Sequence, residues 1–245
     1  MSVVRAKGWW VRVLIKLGLA SWILVLASCA RSGVHATILF MQERELGGPV
    51  FPTRIIVSSR YVRIDPDIGT GNYILFDRKE RVIYSVDTAD RTILVIHSHP
   101  VTLVKPATLV DVVRRGHTKG QFLGYPLVHY RLFTAGRQCY DIEVAQHLLP
   151  HAVKALNAYA ETLAGEQAIT AENTPAGLET PCDLADNVFD PGRIYAQGFP
   201  VRMVDTDKNE KVLVNFKQHV VVARKLFVLP ADYVRYSPEE IRNGG

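Results

Sequence analysis

His97-Ser98-His99 is the sharpest local candidate for metal or acid–base chemistry in the chain. On a strand, side chains two residues apart project from one face, so the two imidazoles are placed to share a metal ion. A third ligand has to come from elsewhere, and His117, His129 and Asp111 are the candidates. Pro100 follows at once and ends a strand, which equally leaves both histidines at a solvated edge. Asp65-Pro66-Asp67-Ile68-Gly69 has the opening of a calcium loop, but Phe76 stands where the bidentate glutamate belongs. Pro, Asp and Gly at these positions read instead as a turn between strands, as does Asp205-Thr206-Asp207-Lys208-Asn209. Gly69-Thr70-Gly71 lacks the rest of a nucleotide loop, and Gly-x-Ser-x-Gly, Ser-x-x-Lys and His-Glu-x-x-His are all absent. No cofactor is expected. Arg114, Arg115, His117 and Lys119 form a basic run that suits an anionic lipid or cell-wall polymer, or is simply a solvated loop.

The charge is unevenly spread. Of the formal +5 across 245 residues, Arg5, Lys7, Arg12 and Lys16 sit in residues 1–28, which hold no acids. The 29 basic residues fall to 25 once these four are set aside, against 24 acidic ones. The basic balance therefore belongs to a leader and implies no nucleic-acid partner. The leader itself is a basic stretch followed by the apolar run Leu17–Ser28, twelve residues against the 20 or so that span a bilayer. The apolar character reaches back through Trp9, Trp10 and Val11 to Ile15, so an uncleaved anchor is the alternative. Leu26-Ala27-Ser28-Cys29 resembles the bacterial lipobox. That resemblance implies cleavage before Cys29 and acylation of its thiol and new amino group, with palmitate-type chains as a membrane anchor. Ala30, not Asp, follows, which by the same resemblance favours the inner leaflet of the outer membrane. The periplasm is oxidising, so the remaining pair, Cys139 and Cys182, reads as a disulfide. A redox or metal pair is the alternative, without a Cys-x-x-Cys to support it.

After a tether over 29–36, strand signals come quickly: Thr37–Glu43, Arg54–Ser59, Arg60–Asp65, Tyr73–Asp77, Val82–Asp87 and Arg91–Ser98. Arg78-Lys79-Glu80-Arg81 reads as the loop of a hairpin, and the short connections make this an antiparallel meander. Residues 100–120 look less regular, and further strands are expected at Phe122–Phe133 and Gln138–Ala145. Leu149–Ala164 has helical spacing, with Pro150 in the first turn. Residues 165–192 read as a long stapled connection, followed by strands at Val201–Asp205 and Lys211–Ala223. In the last of these, Val212, Val214, Phe216, Val220 and Val222 alternate with Lys211, Asn215, Lys217 and His219, the mark of a half-exposed strand. The central strands are apolar on both faces, so one face packs on the core and the other is covered by helices or lines a cavity. Tyr73, Leu75, Tyr84, Ile93 and Val95 are the candidate lining residues.

The run YVRIDPDIGTGNYILFDRKERVIYSVDTADRTILVI and the closing LFVLPADY resemble a family of uncharacterised bacterial periplasmic lipoproteins. These are similar in style to lipoprotein carriers and receptors of the LolA/LolB type. The resemblance implies an α+β fold: a curved antiparallel sheet, half-open as a barrel, with helices as a lid over an apolar concavity. It brings no catalytic residues. The expected organisation is a signal peptide over 1–28, a lipid-anchored tether over 29–36, and one β-rich domain over 37–240 with one main packed helix. The expected role is non-catalytic: an outer-membrane-anchored periplasmic lipoprotein, held to the membrane by lipidated Cys29, that binds an apolar or lipid ligand or an envelope partner. A protein-docking platform in envelope assembly is the alternative. A hydrolase or metal protein using His97 and His99 comes after both.

Overall fold

The computed structural model describes residues 33–67, 71–175 and 177–244. The leader, Cys29 and the start of the tether lie outside the described residues, as do Ile68, Gly69 and Thr70. Twelve strands form one sheet: β1 (Gly33–Arg44), β2 (Val50–Ser58), β3 (Tyr61–Pro66), β4 (Tyr73–Asp77), β5 (Val82–Asp87), β6 (Thr92–His97), β7 (Asp111–Phe122), β8 (Tyr125–Thr134), β9 (Arg137–Ala145), β10 (Phe199–Val204), β11 (Glu210–Ala223) and β12 (Val234–Tyr236). Their spatial order is β12-β6-β5-β4-β3-β2-β1-β11-β10-β9-β8-β7. The pairs are antiparallel except that β12 runs parallel to β6. The edges do not meet, so the sheet is curved and unclosed. Among the described residues three α-helices, α1 (Pro150–Asn173), α2 (Pro181–Leu184) and α3 (Pro238–Arg242), join the sheet in an α+β fold.

Local chemistry sets the hairpins. Asp77 closes the β4–β5 loop by accepting from the backbone N–H groups of Lys79 (3.0 Å) and Glu80 (3.2 Å), while Arg60 donates to the same carboxylate. Leu123-Gly124 and Ala135-Gly136 both carry positive φ at two successive residues. That geometry matches the right-handed twist of two-residue hairpins, so β7–β8 and β8–β9 are tight turns. The first of these divides the expected Phe122–Phe133 strand. β7 itself falls in the stretch that looked irregular, because its exposed residues Val112 to Thr118 show no apolar alternation. The strand β1 begins at Gly33, inside the expected tether, since β11 extends far enough to pair Gly33 with Ala223. Two bulges shift the β1–β11 register, between Ala36 and Ile38 and between Phe40 and Met41. They break the simple alternation expected for β11: Leu213 and Phe216 both reach the core, and Val214 is exposed.

Both faces of the central strands carry packed apolar clusters, each under a different cover. On one face Val62, Phe76, Ile83 and Ile96 pack with Ala152, Ala155 and Leu156 of α1. On the outer face Ala36, Ile56 and Leu75 pack under Phe227, with Leu226 and Leu229 alongside. The C-terminal segment thus straps the outer face, with Phe227 stacked on Tyr61 at 5.5 Å and Arg63 donating to the Leu226 carbonyl at 2.9 Å. It then adds β12 at the β6 edge, and Arg242 of α3 pairs with Glu166 of α1.

The helix α1 runs nine residues past the expected Ala164. The apolar stripe ends there, but the buried residues that follow (Gly165, Glu166 and Ala168) are small or paired, which hydrophobic spacing cannot register. At Gly165 the helix touches the chain after β6, and a Cβ would overlap the His99 carbonyl. Cys139 of β9 and Cys182 of α2 are disulfide-bonded, stapling the connection after α1 to the sheet.

Two stability changes follow. Gly165→Ala is expected to lower stability by about 1–3 kcal/mol in urea unfolding, because backbone, not a flexible side-chain end, blocks the added methyl. Replacing both Cys139 and Cys182 with Ala releases a loop closed over a sequence separation of 43. The loop-entropy model expects a loss of about 4 kcal/mol, read as the unfolding difference between oxidised wild type and the double variant.

Candidate functional site

A cavity of about 440 Å³ lies between the sheet and the α1 side of the molecule. Its floor is a ladder of isoleucines. Ile55 of β2 pairs with Ile64 of β3, and Ile64 with Ile74 of β4, so the three side chains stand in a row across neighbouring strands. All three are half-buried, with Met41 of β1 beside them. Leu156 and Tyr159, one turn apart on α1, form part of the roof. A short 3₁₀ turn, Arg193–Tyr195, adds Ile194 and Tyr195, and Phe199 and Met203 of β10 with Tyr140 of β9 form the far wall. The rim is polar. Lys211 pairs with Glu43 at 2.9 Å, and Asp205 accepts from the Asn209 side chain at 3.0 Å.

One buried cation fixes the 3₁₀ turn. Arg193 is 5% exposed. Its Nε donates to Asp186, and its Nη1 donates to Asp111 of β7 at 2.7 Å and to the Thr134 hydroxyl of β8. Thr134 in turn donates to Asp111 at 2.6 Å, and Lys105 donates to the other oxygen of that carboxylate at 2.6 Å. Arg193 Nη2 finds no acceptor among the described residues. Burial opposes ionisation of Asp111, but Lys105, Thr134 and Arg193 together hold its carboxyl below the ordinary range. At Asp186 burial wins over Arg193 and pushes the carboxyl up to about 6. Burial likewise pushes the phenols of Tyr140, Tyr159 and Tyr195 up, so each is a neutral hydroxyl at pH 7.

The sequence candidates fall elsewhere. Tyr73, Leu75, Tyr84, Ile93 and Val95 alternate with Ile74, Ile83, Leu94 and Ile96, and so project from the opposite, strapped face. Their expected place as cavity lining is corrected by this register: apolar residues occur on both faces, and only the docking of α1 selects one. Tyr73 borders a groove at the strand ends beside Phe51 and Asn72. His97 and His99 are exposed. Nine strands separate β6 from β7 in the sheet order, and no group of three metal-ligating residues forms among the described residues. His129 is engaged with Asp141 at 2.9 Å, and Asp111 with Arg193. Asp65 accepts from Arg54 (3.0 Å) and Arg63 (2.6 Å), so two guanidiniums occupy the carboxylate of the calcium-like segment. Arg114, Arg115 and His117 are exposed on β7, with Arg114 over the Phe133 ring at 4.5 Å. The Ile55–Ile64–Ile74 row and the three tyrosines escape sequence reasoning. The signal for the isoleucines is the alternation of β2–β4 read together with their register.

No family model matches the chain, and no curated protein matches it in sequence. Among solved structures it is similar to an uncharacterized conserved protein from Thermus thermophilus, at 12% identity and a TM-score of 0.43, over 89% of this chain and 99% of that one. PNGF-II matches at 10% identity and a TM-score of 0.44, over 85% of this chain but only 32% of PNGF-II. MucB matches at 9% identity and a TM-score of 0.38, over 89% of this chain and 65% of that one. None of the three lends an activity to this chain. Among the described residues no helix is long and apolar enough to cross a membrane.

The Asp186 carboxyl has a testable consequence. Its folded value of about 6 lies above the ordinary 3.8, so the folded chain holds the proton more tightly than the unfolded one. Stability contributed by the protonated form is present below pH 3.8 and lost as pH rises through about 6. Relative to Asp186→Asn, the wild type should lose on the order of 3 kcal/mol between pH 3.5 and pH 7. Urea unfolding of both proteins across that range checks it, and a constant difference would contradict the burial of this carboxyl.

Proposed function

We propose that the chain is a periplasmic lipoprotein, anchored to the outer membrane through acylated Cys29, that binds an acyl-bearing ligand between its sheet and α1. The observation that carries this reading is the cavity of about 440 Å³ over the Ile55–Ile64–Ile74 floor. Its size lies within the span of small-molecule sites, and its apolar body with a few polar groups at the rim is their usual composition. The arrangement of a curved open sheet, a covering helix and an apolar hollow is consistent with a half-open barrel of the LolA/LolB type. The leader ending in Leu26-Ala27-Ser28-Cys29 supports the anchor. The Cys139–Cys182 disulfide supports an oxidising compartment.

The role proposed is binding, carried by the apolar body of the cavity. A buried methylene contributes about 0.8 kcal/mol, so ten of them gain about 8 kcal/mol, which association costs of similar size largely offset. That balance suits a ligand taken up and handed on.

Native mass spectrometry of gently extracted protein tests the reading. The wild type is expected to carry lipid. Ile64→Trp fills the floor and should abolish that occupancy, with a Tm within about 3 °C of wild type, because the indole enters existing space. A lipid-free wild type with a stable envelope partner would instead favour the docking role.

A further inference from the structure

Tyr140, Tyr159 and Tyr195 come from three separate elements, β9, α1 and the 3₁₀ turn, and border one cavity. Each is half-buried. A buried tyrosine ordinarily gives its hydroxyl a partner. Tyr130 follows that rule and accepts from Gln146 at 3.3 Å. The hydroxyls of the other three make no hydrogen bond among the described residues, yet they are not sealed off: the buried polar atom left without a partner is Arg193 Nη2, not a phenol oxygen. Tyr195 lies within electrostatic reach of both of the others. Beyond burial, ionisation of Tyr195 is opposed by Tyr159, and that of Tyr140 by Asp186, Asp205 and Tyr195. Three residues that line one cavity therefore carry neutral O–H donors with no partner among the described residues.

The rim disfavours an anion. Among the described lining residues Lys211 is the one cation, and it is already paired with Glu43, while Asp205 adds a second carboxylate. A carboxylate drawn into this cavity would lose its hydration without gaining a free cation. A carbonyl oxygen needs only a donor.

We infer that the cavity selects a neutral acyl ester or amide, whose hydrocarbon lies along the isoleucine floor and whose carbonyl oxygens accept hydrogen bonds from Tyr140, Tyr159 and Tyr195. This rests on the binding role proposed above and adds the chemistry of the ligand's head. Hydrogen bonding by the three hydroxyls sets the preference, and the apolar floor supplies affinity common to all acyl chains.

The test is competition against a neutral apolar dye, N-phenyl-1-naphthylamine, bound to the full-length protein held in an amphipathic polymer. The competitors are 1-monopalmitoylglycerol and palmitate at pH 8, which share a chain and differ in the head. The ester is expected to displace the dye at a concentration at least tenfold lower. Replacing Tyr140, Tyr159 and Tyr195 together with Phe should narrow that ester-to-acid ratio at least fivefold, equivalent to about 1 kcal/mol for each hydrogen bond that the single ester carbonyl loses. Tyr84→Phe, on the strapped face, should leave the ratio unchanged. Equal displacement by ester and acid, or ratios insensitive to the three substitutions, overturns the selectivity and leaves apolar binding standing. Failure of the dye and both competitors to bind at all overturns both readings.

Discussion

A guanidinium shut away from water has to be neutralised, and the way Arg193 meets that demand organises one end of the molecule. Its donors reach Asp186 in the segment after α2, Asp111 on β7 and Thr134 on β8, so a single side chain ties three stretches far apart in sequence. Removing one partner from such a buried group typically costs about 3–5 kcal/mol, so the arrangement is rigid. The Cys139–Cys182 bond anchors the same segment to β9 by covalent means. Between them, these two ties hold the 3₁₀ turn in place, and with it Ile194 and Tyr195 over the cavity. The wall of the hollow is thus secured from outside it, by charge and sulfur chemistry.

The central strands bury apolar residues on both faces because two different pieces of the chain cover them. The helix α1 lies against β2, β5 and β6 on one side. The C-terminal strap lies across the other, where Phe227, Leu226 and Leu229 meet Ile56 and Leu75. The strap continues to β12 and α3, and α3 returns to α1 through Arg242 and Glu166, so the two covers are tied to each other. The helix does not reach over the whole inner face. The part it leaves open, above Ile55, Ile64 and Ile74, is where the cavity forms. An apolar hollow in an otherwise packed interior carries a cost in lost dispersion contacts, and a ligand that fills it recovers them.

Much of the architecture was legible in the order of residues. The meander from β1 to β6, the hairpin at Arg78–Arg81, the turn at Asp205–Asn209 and the start of α1 at Pro150 all follow from local chemistry. The pairing of Cys139 with Cys182 followed from their number and the expected compartment. The candidate site was not legible. Tyr73, Leu75 and Tyr84 carry the same apolar character as Ile64 and Ile74, so composition gives no reason to prefer either set. The bulges in β11 moved Leu213 and Phe216 onto a shared core in a way that strict alternation forbids. The extension of α1 depends on Gly165 nestling against the His99 backbone, a contact between residues 66 apart.

Strand and turn formation depend on neighbours within a few residues, which is why the linear order alone determined an antiparallel, disulfide-stapled β layer with one long helix. Which side of that layer α1 occupies depends on the summed fit of two large surfaces, and no short window of residues encodes that sum. Only the tertiary structure therefore decided that Ile55, Ile64 and Ile74 face the hollow, that Arg193 is buried beside Asp111, and that Tyr140, Tyr159 and Tyr195 surround one space.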